Sequence, residues 1–143
     1  MATNVPSVFL TNLNNAFALD NSLNIPVKSK AIIYSYHGQP QQVFYLENNG
    51  AGYLIRSKYD GKVLEVPPFS DGSDGTELQF ANKSGNDRQR WIISNNGDNF
   101  GGVSLQAYNS KYAAVRNGTV QNENVVVLST KQDKAASWNI KKV

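Results

Sequence analysis

The sequence contains no cysteine and a single histidine, His37, in 143 residues. A chain without thiols forms no disulfides, on which small secreted domains usually depend. Residues 1–6 also lack the basic segment and the long apolar segment of a secretory signal. These absences favour a cytoplasmic protein.

Long hydrophobic runs and concentrated charge are missing as well. The apolar stretch at residues 125–128 is far too short to cross a bilayer, which takes about 20 residues in a helix. We therefore expect no membrane insertion. The net charge is +3, and the basic residues are scattered along the chain. Nucleic-acid-binding proteins concentrate such residues on one face, so no nucleic-acid partner is expected.

Few side chains are available for catalysis or metal binding. Only His37 can serve in a histidine-based metal cluster or as the base of a nucleophile pair. The segment Asp-Gly-Ser-Asp-Gly at residues 71–75 resembles part of a calcium loop, but it lacks the distal glutamate. It is more typical of a solvated turn. The sequence therefore predicts a protein that is not an enzyme and that holds neither metal nor cofactor.

The chain does contain an internal repeat. Three similar segments carry a large aromatic residue at Phe44, Trp91 and Trp138, so both intervals are 47 residues. Two other features recur upstream of each aromatic in the same order. One is a short segment at 18–20, 64–66 and 114–116, and the other is an apolar run at 32–34, 78–80 and 126–128. This recurrence indicates three repeats, approximately residues 7–50, 51–98 and 99–143.

Short apolar runs bounded by Asn, Gly, Asp and Ser predict strands and turns along the whole chain. No window shows the 3.6-residue apolar period of a long helix. A unit of about 47 residues is too small to bury its apolar face alone, and three units that close about a pseudo-threefold axis also remove exposed sheet edges. The sequence thus predicts one all-β domain over residues 1–143, a β-trefoil of about twelve short strands.

These motifs resemble the ricin-B-like (R-type) lectins, and most closely the cysteine-free lectins of mushrooms and other fungi. In that family a sugar-binding repeat reads Leu-Asp, a glycine-rich loop, then Val-Val-x-Trp-x-Phe-His-Gly-Gly-x-Asn-Gln-x-Trp. The first repeat here has Leu19-Asp20 and a segment that follows the pattern without a gap from residue 33 to residue 44. Gln41 stands in place of Asn, Phe44 in place of Trp, and Ala136 in place of the Gln of repeat three.

The resemblance implies a lectin for terminal galactose or N-acetylgalactosamine, including lactose and N-acetyllactosamine types of glycan, with a role in fungal defence. It implies five binding residues in repeat one. Asp20 would accept hydrogen bonds from sugar hydroxyls, and the ring of Tyr34 would cover the apolar face of the sugar. His37 and Gly38 would border the pocket, and Gln41 would contact a ring hydroxyl.

Each of these residues also has a purely structural interpretation. Asp20 could cap its own turn, as Asp often does. Tyr34 could be a half-buried strand residue, and His37 could simply belong to a glycine turn. We assign Tyr36 and Gln42 to the core and its scaffold, together with the repeat-ending aromatics.

The other two repeats depart from the binding pattern. Repeat two keeps an acid at Glu65 but has Ala81 at the stacking position. Repeat three has Val115 and Arg116 near the acid position and Leu128 at the stacking position. We therefore expect one main site in repeat one, with weak binding by repeat two as an alternative.

A different class of function stays open at this point. A β-trefoil can also act as a protein–protein module, for example as a protease inhibitor. The loop Val-Pro-Pro-Phe at residues 66–69 is stiff enough to be presented to a partner. A homodimer is a further possibility, because a lectin with one site per chain needs a second copy to cross-link glycans.

Overall fold

The computed structural model describes residues 6–22, 29–96 and 101–143. Twelve strands lie in these residues, and its only helices are four single 3₁₀ turns at Pro40–Gln42, Asp87–Gln89, Arg116–Gly118 and Lys134–Ala136. The strands are β1 Ser7–Thr11, β2 Phe17–Asp20, β3 Ile32–Ser35, β4 Phe44–Asn49, β5 Gly52–Ser57, β6 Val63–Glu65, β7 Gln79–Ala81, β8 Ile92–Asn95, β9 Val103–Gln106, β10 Tyr112–Val115, β11 Val126–Ser129 and β12 Asn139–Lys142.

Six of the strands close into a barrel. Antiparallel ladders join β1 to β4, β4 to β5, β8 to β9, and β12 back to β1. The two remaining contacts are single bridges, Tyr53 with Trp91 between β5 and β8, and Val103 with Trp138 between β9 and β12. Closure satisfies strand edges that would otherwise stay unpaired.

The other six strands form three hairpins, β2–β3, β6–β7 and β10–β11, which cap the barrel. The hairpins are linked by a ring of backbone hydrogen bonds. The Ala31 amide donates to the Leu78 carbonyl, Leu78 to Val126, and Val126 back to Ala31, at 3.0, 2.9 and 2.8 Å. The ring joins one residue of each repeat to the next, as expected when the three repeats are related by a pseudo-threefold axis. The predicted all-β fold, a β-trefoil of about twelve strands, is confirmed.

The repeat-ending aromatics occupy the centre of the molecule. Phe44, Trp91 and Trp138 are at most 1% exposed and belong to one hydrophobic cluster. Each tryptophan also donates its indole N–H to a cap strand, Trp91 to the Leu64 carbonyl and Trp138 to the Ala113 carbonyl, both at 3.0 Å. The period of 47 residues therefore reflects core packing together with attachment of the barrel to the cap.

Glycine is required where the barrel strands approach a tryptophan backbone. A Cβ at Gly52 would lie 2.6 Å from the Trp91 carbonyl oxygen, and one at Gly102 would lie 2.5 Å from that of Trp138. Both distances are far below van der Waals contact, so only hydrogen fits at these two positions.

Across the described ranges, no helix has the length and apolar character needed to span a membrane.

Candidate functional site

The β2–β3 hairpin brings the predicted acid and the predicted stacking ring to one face. Asp20 lies opposite Ile32, and Ala18 lies opposite Tyr34 in the antiparallel ladder. Because side chains alternate along a strand, all four point to the same side, while Leu19 and Ile33 point into the core. Asp20 and Tyr34 are thus diagonal neighbours, about 7–8 Å apart at the backbone.

The Asp20 carboxylate is fixed by hydrogen bonds and is only 3% exposed. Its Oδ1 accepts from the Ser22 amide at 2.8 Å, and its Oδ2 accepts from Gln42 Nε2 at 3.2 Å. Burial raises the pKa of the Asp20 carboxyl above its ordinary value, and the bonds from Ser22 and Gln42 offset only part of that rise. Asp20 therefore caps its own turn and also keeps acceptor directions for a ligand, since a carboxylate has about four.

His37 connects the acid with the ring. Its Nε2 lies 3.6 Å from Asp20 Oδ2, and its ring centroid lies 6.0 Å from that of Tyr34. His37 Nδ1 accepts from the Gln39 amide at 3.0 Å, which puts the proton of the neutral imidazole on Nε2, toward Asp20. With its side chain 29% exposed, His37 forms part of the rim of the site.

Gln42 holds the rim loop in place. Its Oε1 accepts from the amides of His37 and Gly38 at 2.9 and 3.2 Å, and its Nε2 donates to the Ser35 carbonyl at 3.0 Å as well as to Asp20. Gln42 itself is completely buried. One side chain thus positions the carboxylate and the loop around it, a contact with the acid that the sequence analysis did not anticipate.

The remaining predicted residues belong to β3, to the loop after it and to the following 3₁₀ turn. Tyr34 is half-buried against the small apolar cluster of Ile32 with Val125 and Val127. Gly38 has a φ of +75°, which suits glycine. The Gln41 backbone carbonyl accepts from the Asn21 amide at 3.0 Å. Among the five residues predicted from the sequence, the side chains of Asp20, His37 and Tyr34 are thus neighbours, and Gly38 and Gln41 lie in the adjoining loop and 3₁₀ turn.

Comparison with known proteins identifies the family of this chain. A family model described as the ricin-type beta-trefoil lectin domain-like family matches residues 2–81, more than half of the chain. The chain belongs to this family. No curated protein has a significant sequence match to this ricin-type lectin domain.

Solved structures share the fold over the whole domain. The designed threefold-symmetric protein ThreeFoil is 27% identical, with a TM-score of 0.84 over 96% of this chain and 99% of its own. The ricin B-like lectin of Macrolepiota procera, solved with lactose, is 18% identical, with a TM-score of 0.84 over 100% and 99%. The Polyporus squamosus lectin, solved with a sialylated epitope, is 21% identical, with a TM-score of 0.78 over 99% of this chain and 50% of its own.

In repeat two of this ricin-type lectin domain, the acid accepts two hydrogen bonds within the protein, as Asp20 does in repeat one. Glu65 Oε1 accepts from Gln89 Nε2 at 2.9 Å, and Oε2 accepts from Gln79 Nε2 at 2.8 Å. Ala81 takes the ladder position of Tyr34, while Phe80 is 2% exposed and packs into the core as predicted. Repeat two therefore has a buried acid engaged by two amides and no ring beside it.

In repeat three, the ladder corrects the predicted alignment by one residue. Each hairpin donates one backbone amide hydrogen bond to a neighbouring hairpin in the same geometry, and the donors are Ile33, Phe80 and Leu128. These three residues are therefore equivalent. Ser129, not Leu128, takes the position of Tyr34, and Ala114, opposite Val127, takes that of Asp20. The interval there is 48 residues instead of 47, which a fixed period cannot detect.

Small side chains leave a hollow in repeat three where the site would be. A cavity of about 650 Å³ is lined by residues that include Ala114, Ser129 and Ala135. Ala114 stands there at the position of Asp20, and the carboxylates that line the cavity, Asp74 and Asp133, come from other positions. The cavity of repeat three therefore differs from the repeat-one group in that its equivalents of Asp20 and Tyr34 are Ala114 and Ser129.

One assignment to the core was wrong. Tyr36 is 42% exposed; its ring packs edge-on against Phe9 at 5.0 Å and lies under the Lys141 ammonium at 5.6 Å. The chain leaves β3 at Ser35, so the alternation that places Ile33 inside no longer holds for Tyr36.

Proposed function

We propose that this protein is a carbohydrate-binding lectin with one main site, formed by repeat one and specific for glycans that end in galactose or N-acetylgalactosamine. It binds without catalysing a reaction.

We also propose that it acts in the cytoplasm, where a fold without cysteine needs no oxidising environment. Cell fractionation tests the location; recovery in the secreted fraction would contradict it.

The observation that carries the proposal is the group formed by Asp20, His37 and Tyr34. A fixed carboxylate with remaining acceptor directions suits vicinal hydroxyls, and a half-exposed ring beside it suits the apolar face of a hexose. The bound lactose of the Macrolepiota procera lectin supports a ligand that ends in galactose, and the epitope of the Polyporus squamosus lectin contains galactose beneath a terminal sialic acid. Repeat one is the place where the described residues combine an acid, a ring and a rim loop.

Isothermal titration calorimetry with galactose, N-acetylgalactosamine and lactose tests the proposal, with maltose as a disaccharide control without galactose. We expect one site per chain and a Kd between micromolar and millimolar, about −4 to −8 kcal/mol, as is typical of a shallow site. Absence of binding to all galactose-type sugars would overturn the function. Two or three equal sites per chain would overturn the assignment to repeat one alone.

Sugar affinity is expected to fall in acid before the fold is lost. Binding requires the ionised Asp20 carboxylate, and burial raises its pKa, so protonation begins at a higher pH than for an ordinary aspartate. In the folded state the same shift favours the protonated form, so the contribution of Asp20 to stability is present at low pH and is lost as pH rises through its folded pKa.

Other carboxylates act in the opposite direction on stability. Hydrogen bonds from Arg56 lower the pKa of Glu47, and those from Lys30 and Arg116 lower that of Glu77. Their stabilisation is lost only as pH falls through these lowered values. Affinity and circular dichroism, measured on the same samples from pH 7 downward, should show binding decline first. An affinity that stays constant until unfolding would contradict the role of Asp20.

The loop at residues 66–69 is the observation that favours a protein–protein function as the second candidate. Phe69 is 91% exposed, and the Pro67 carbonyl accepts from the Ser70 amide and hydroxyl and from Arg88. These bonds close a turn, whereas strand addition to a protease cleft needs an extended segment. Inhibition assays against serine and cysteine proteases, with Phe69→Ala as the control variant, separate this candidate from the lectin.

A further inference from the structure

The turn between β5 and β6 lies directly against the repeat-one site. Asn21, the residue after the acid, donates its Nδ2 to Ser57 Oγ at 3.0 Å and to Asp60 Oδ1 at 3.1 Å. The Lys58 amide donates to the Val43 carbonyl at 2.9 Å, just beyond the 3₁₀ turn that contains Gln41. The turn is thus attached to the site from two directions.

Tyr59 sits within this turn and is 55% exposed. The corresponding turn of repeat three contains Tyr108, which lies against repeat two: the Arg88 guanidinium carbon is 4.9 Å from the centroid of the Tyr108 ring. Arg88 precedes Gln89 as Gln41 precedes Gln42, so Arg88 and Gln41 are equivalent. By this equivalence we expect the turn that contains Tyr59 to face the Gln41 end of the site, where the Lys58 amide donates to the Val43 carbonyl.

Repeat three shows the same adjacency. Leu13 of repeat one occupies the equivalent turn, and it lines one cavity together with Ala135 of repeat three, which takes the position of Gln41. At the other two hairpins, the turn residue therefore lies near the position equivalent to Gln41. What differs is the partner: a guanidinium covers Tyr108, whereas the ring of Tyr59 is open to solvent for more than half of its surface.

The chemistry of the turn repeats that of the main site. An open phenol ring can cover the apolar face of a sugar. The neighbouring Asp60 is exposed, and its Oδ1 accepts from Asn21 Nδ2 and from the Lys62 amide at 3.1 and 3.0 Å, which fixes the carboxylate while acceptor directions remain. An acid and a ring, held by the residue that follows Asp20, form a second acceptor–ring pair next to the first.

We propose that Tyr59, assisted by Asp60, forms a second subsite that binds the next sugar of a glycan whose terminal residue occupies the repeat-one site. This inference rests on the proposed function and specifies the ligand as a disaccharide or a longer glycan. Tyr59 acts as a specificity-determining residue, because it favours extended ligands over the free monosaccharide.

Calorimetry on Tyr59→Ala tests the subsite with three probes: galactose, lactose and galactosyl-β1,3-N-acetylgalactosamine. Loss of one stacking ring should weaken binding of at least one disaccharide about three- to tenfold, while the Kd for galactose stays within about twofold. Phe69→Ala removes an aromatic ring that is 91% exposed and outside the site, so it should leave all three affinities unchanged.

The outcomes separate the two proposals. If the unmodified protein binds none of the three sugars, the lectin function fails. If it binds them and Tyr59→Ala binds both disaccharides as tightly as the unmodified protein, the subsite fails and the lectin function stands. An equal loss for galactose and for the disaccharides would also overturn the subsite, because it would place Tyr59 in the main site or show damage to it.

Discussion

Replacing Asp20 with asparagine is expected to weaken sugar binding about ten- to a hundredfold. Hydrogen bonds to charged acceptors contribute about 1.5–3 kcal/mol, and each 1.4 kcal/mol corresponds to a factor of ten. Asparagine has one acceptor oxygen, whereas Asp20 receives the Ser22 amide on Oδ1 and the Gln42 amide on Oδ2. The new NH₂ group must therefore face one of these donors, which also disturbs the geometry around His37.

Glu65→Gln is the matched control for this variant. It makes the same change at the equivalent position of repeat two, where two glutamine amides donate to the carboxylate at 2.8 and 2.9 Å. Both variants should lose a similar amount of stability, about 1–3 kcal/mol, because each leaves a buried donor without its acceptor. Only Asp20→Asn should lose sugar affinity. Equal affinity losses, or a loss confined to Glu65→Gln, would contradict the assignment of the site to repeat one.

Truncating Trp91 to alanine is expected to give the largest loss of stability, about 3–5 kcal/mol. Trp91 is completely buried, and its indole N–H pairs with the Leu64 carbonyl at 3.0 Å. The substitution opens a cavity at the centre of the core and leaves that carbonyl without its partner. For a domain of this size we expect a melting temperature about 10–15 °C lower, measured by thermal denaturation.

Two comparisons make the result specific. Phe69→Ala removes an aromatic ring that is 91% exposed, so it should change stability by less than about 0.5 kcal/mol. The single bridge between Tyr53 and Trp91 uses backbone atoms, at 2.8 Å in both directions, and persists in Trp91→Ala. A variant as stable as the unmodified protein would contradict the view that the repeat-ending aromatics hold the barrel and the cap together.

Much of the fold was predictable because its cause is local and periodic. The equal spacing of Phe44, Trp91 and Trp138 indicates three similar units, each of which buries one aromatic side chain in a shared core. The alternation of short apolar runs with turn residues predicts strands. The resemblance of repeat one to the family pattern predicted that Asp20, Tyr34 and His37 belong to one site. The structure brings the three side chains close together, with His37 Nε2 3.6 Å from Asp20 Oδ2 and 6.0 Å between the ring centroids of His37 and Tyr34.

Where the sequence failed, the cause was a residue whose environment is set by distant chain segments. Tyr36 looked like a core aromatic, yet it lies outside β3 and packs on Phe9 and Lys141. The extra residue in repeat three shifted the stacking position from Leu128 to Ser129. Neither feature changes the composition or the local pattern, so each becomes visible only when the side chains and strands are paired in the folded chain.

The sequence by itself determined the threefold fold and the repeat that carries an acid and a ring, since both follow from residue types at fixed spacing. The tertiary structure alone decided how these groups are held. It showed that Gln42 fixes the Asp20 carboxylate, that Glu65 is engaged by two amides, and that Tyr59 lies in a turn against the site. Hydrogen bonds and burial depend on which side chains meet across the barrel and cap, and that information exists only once the chain has folded.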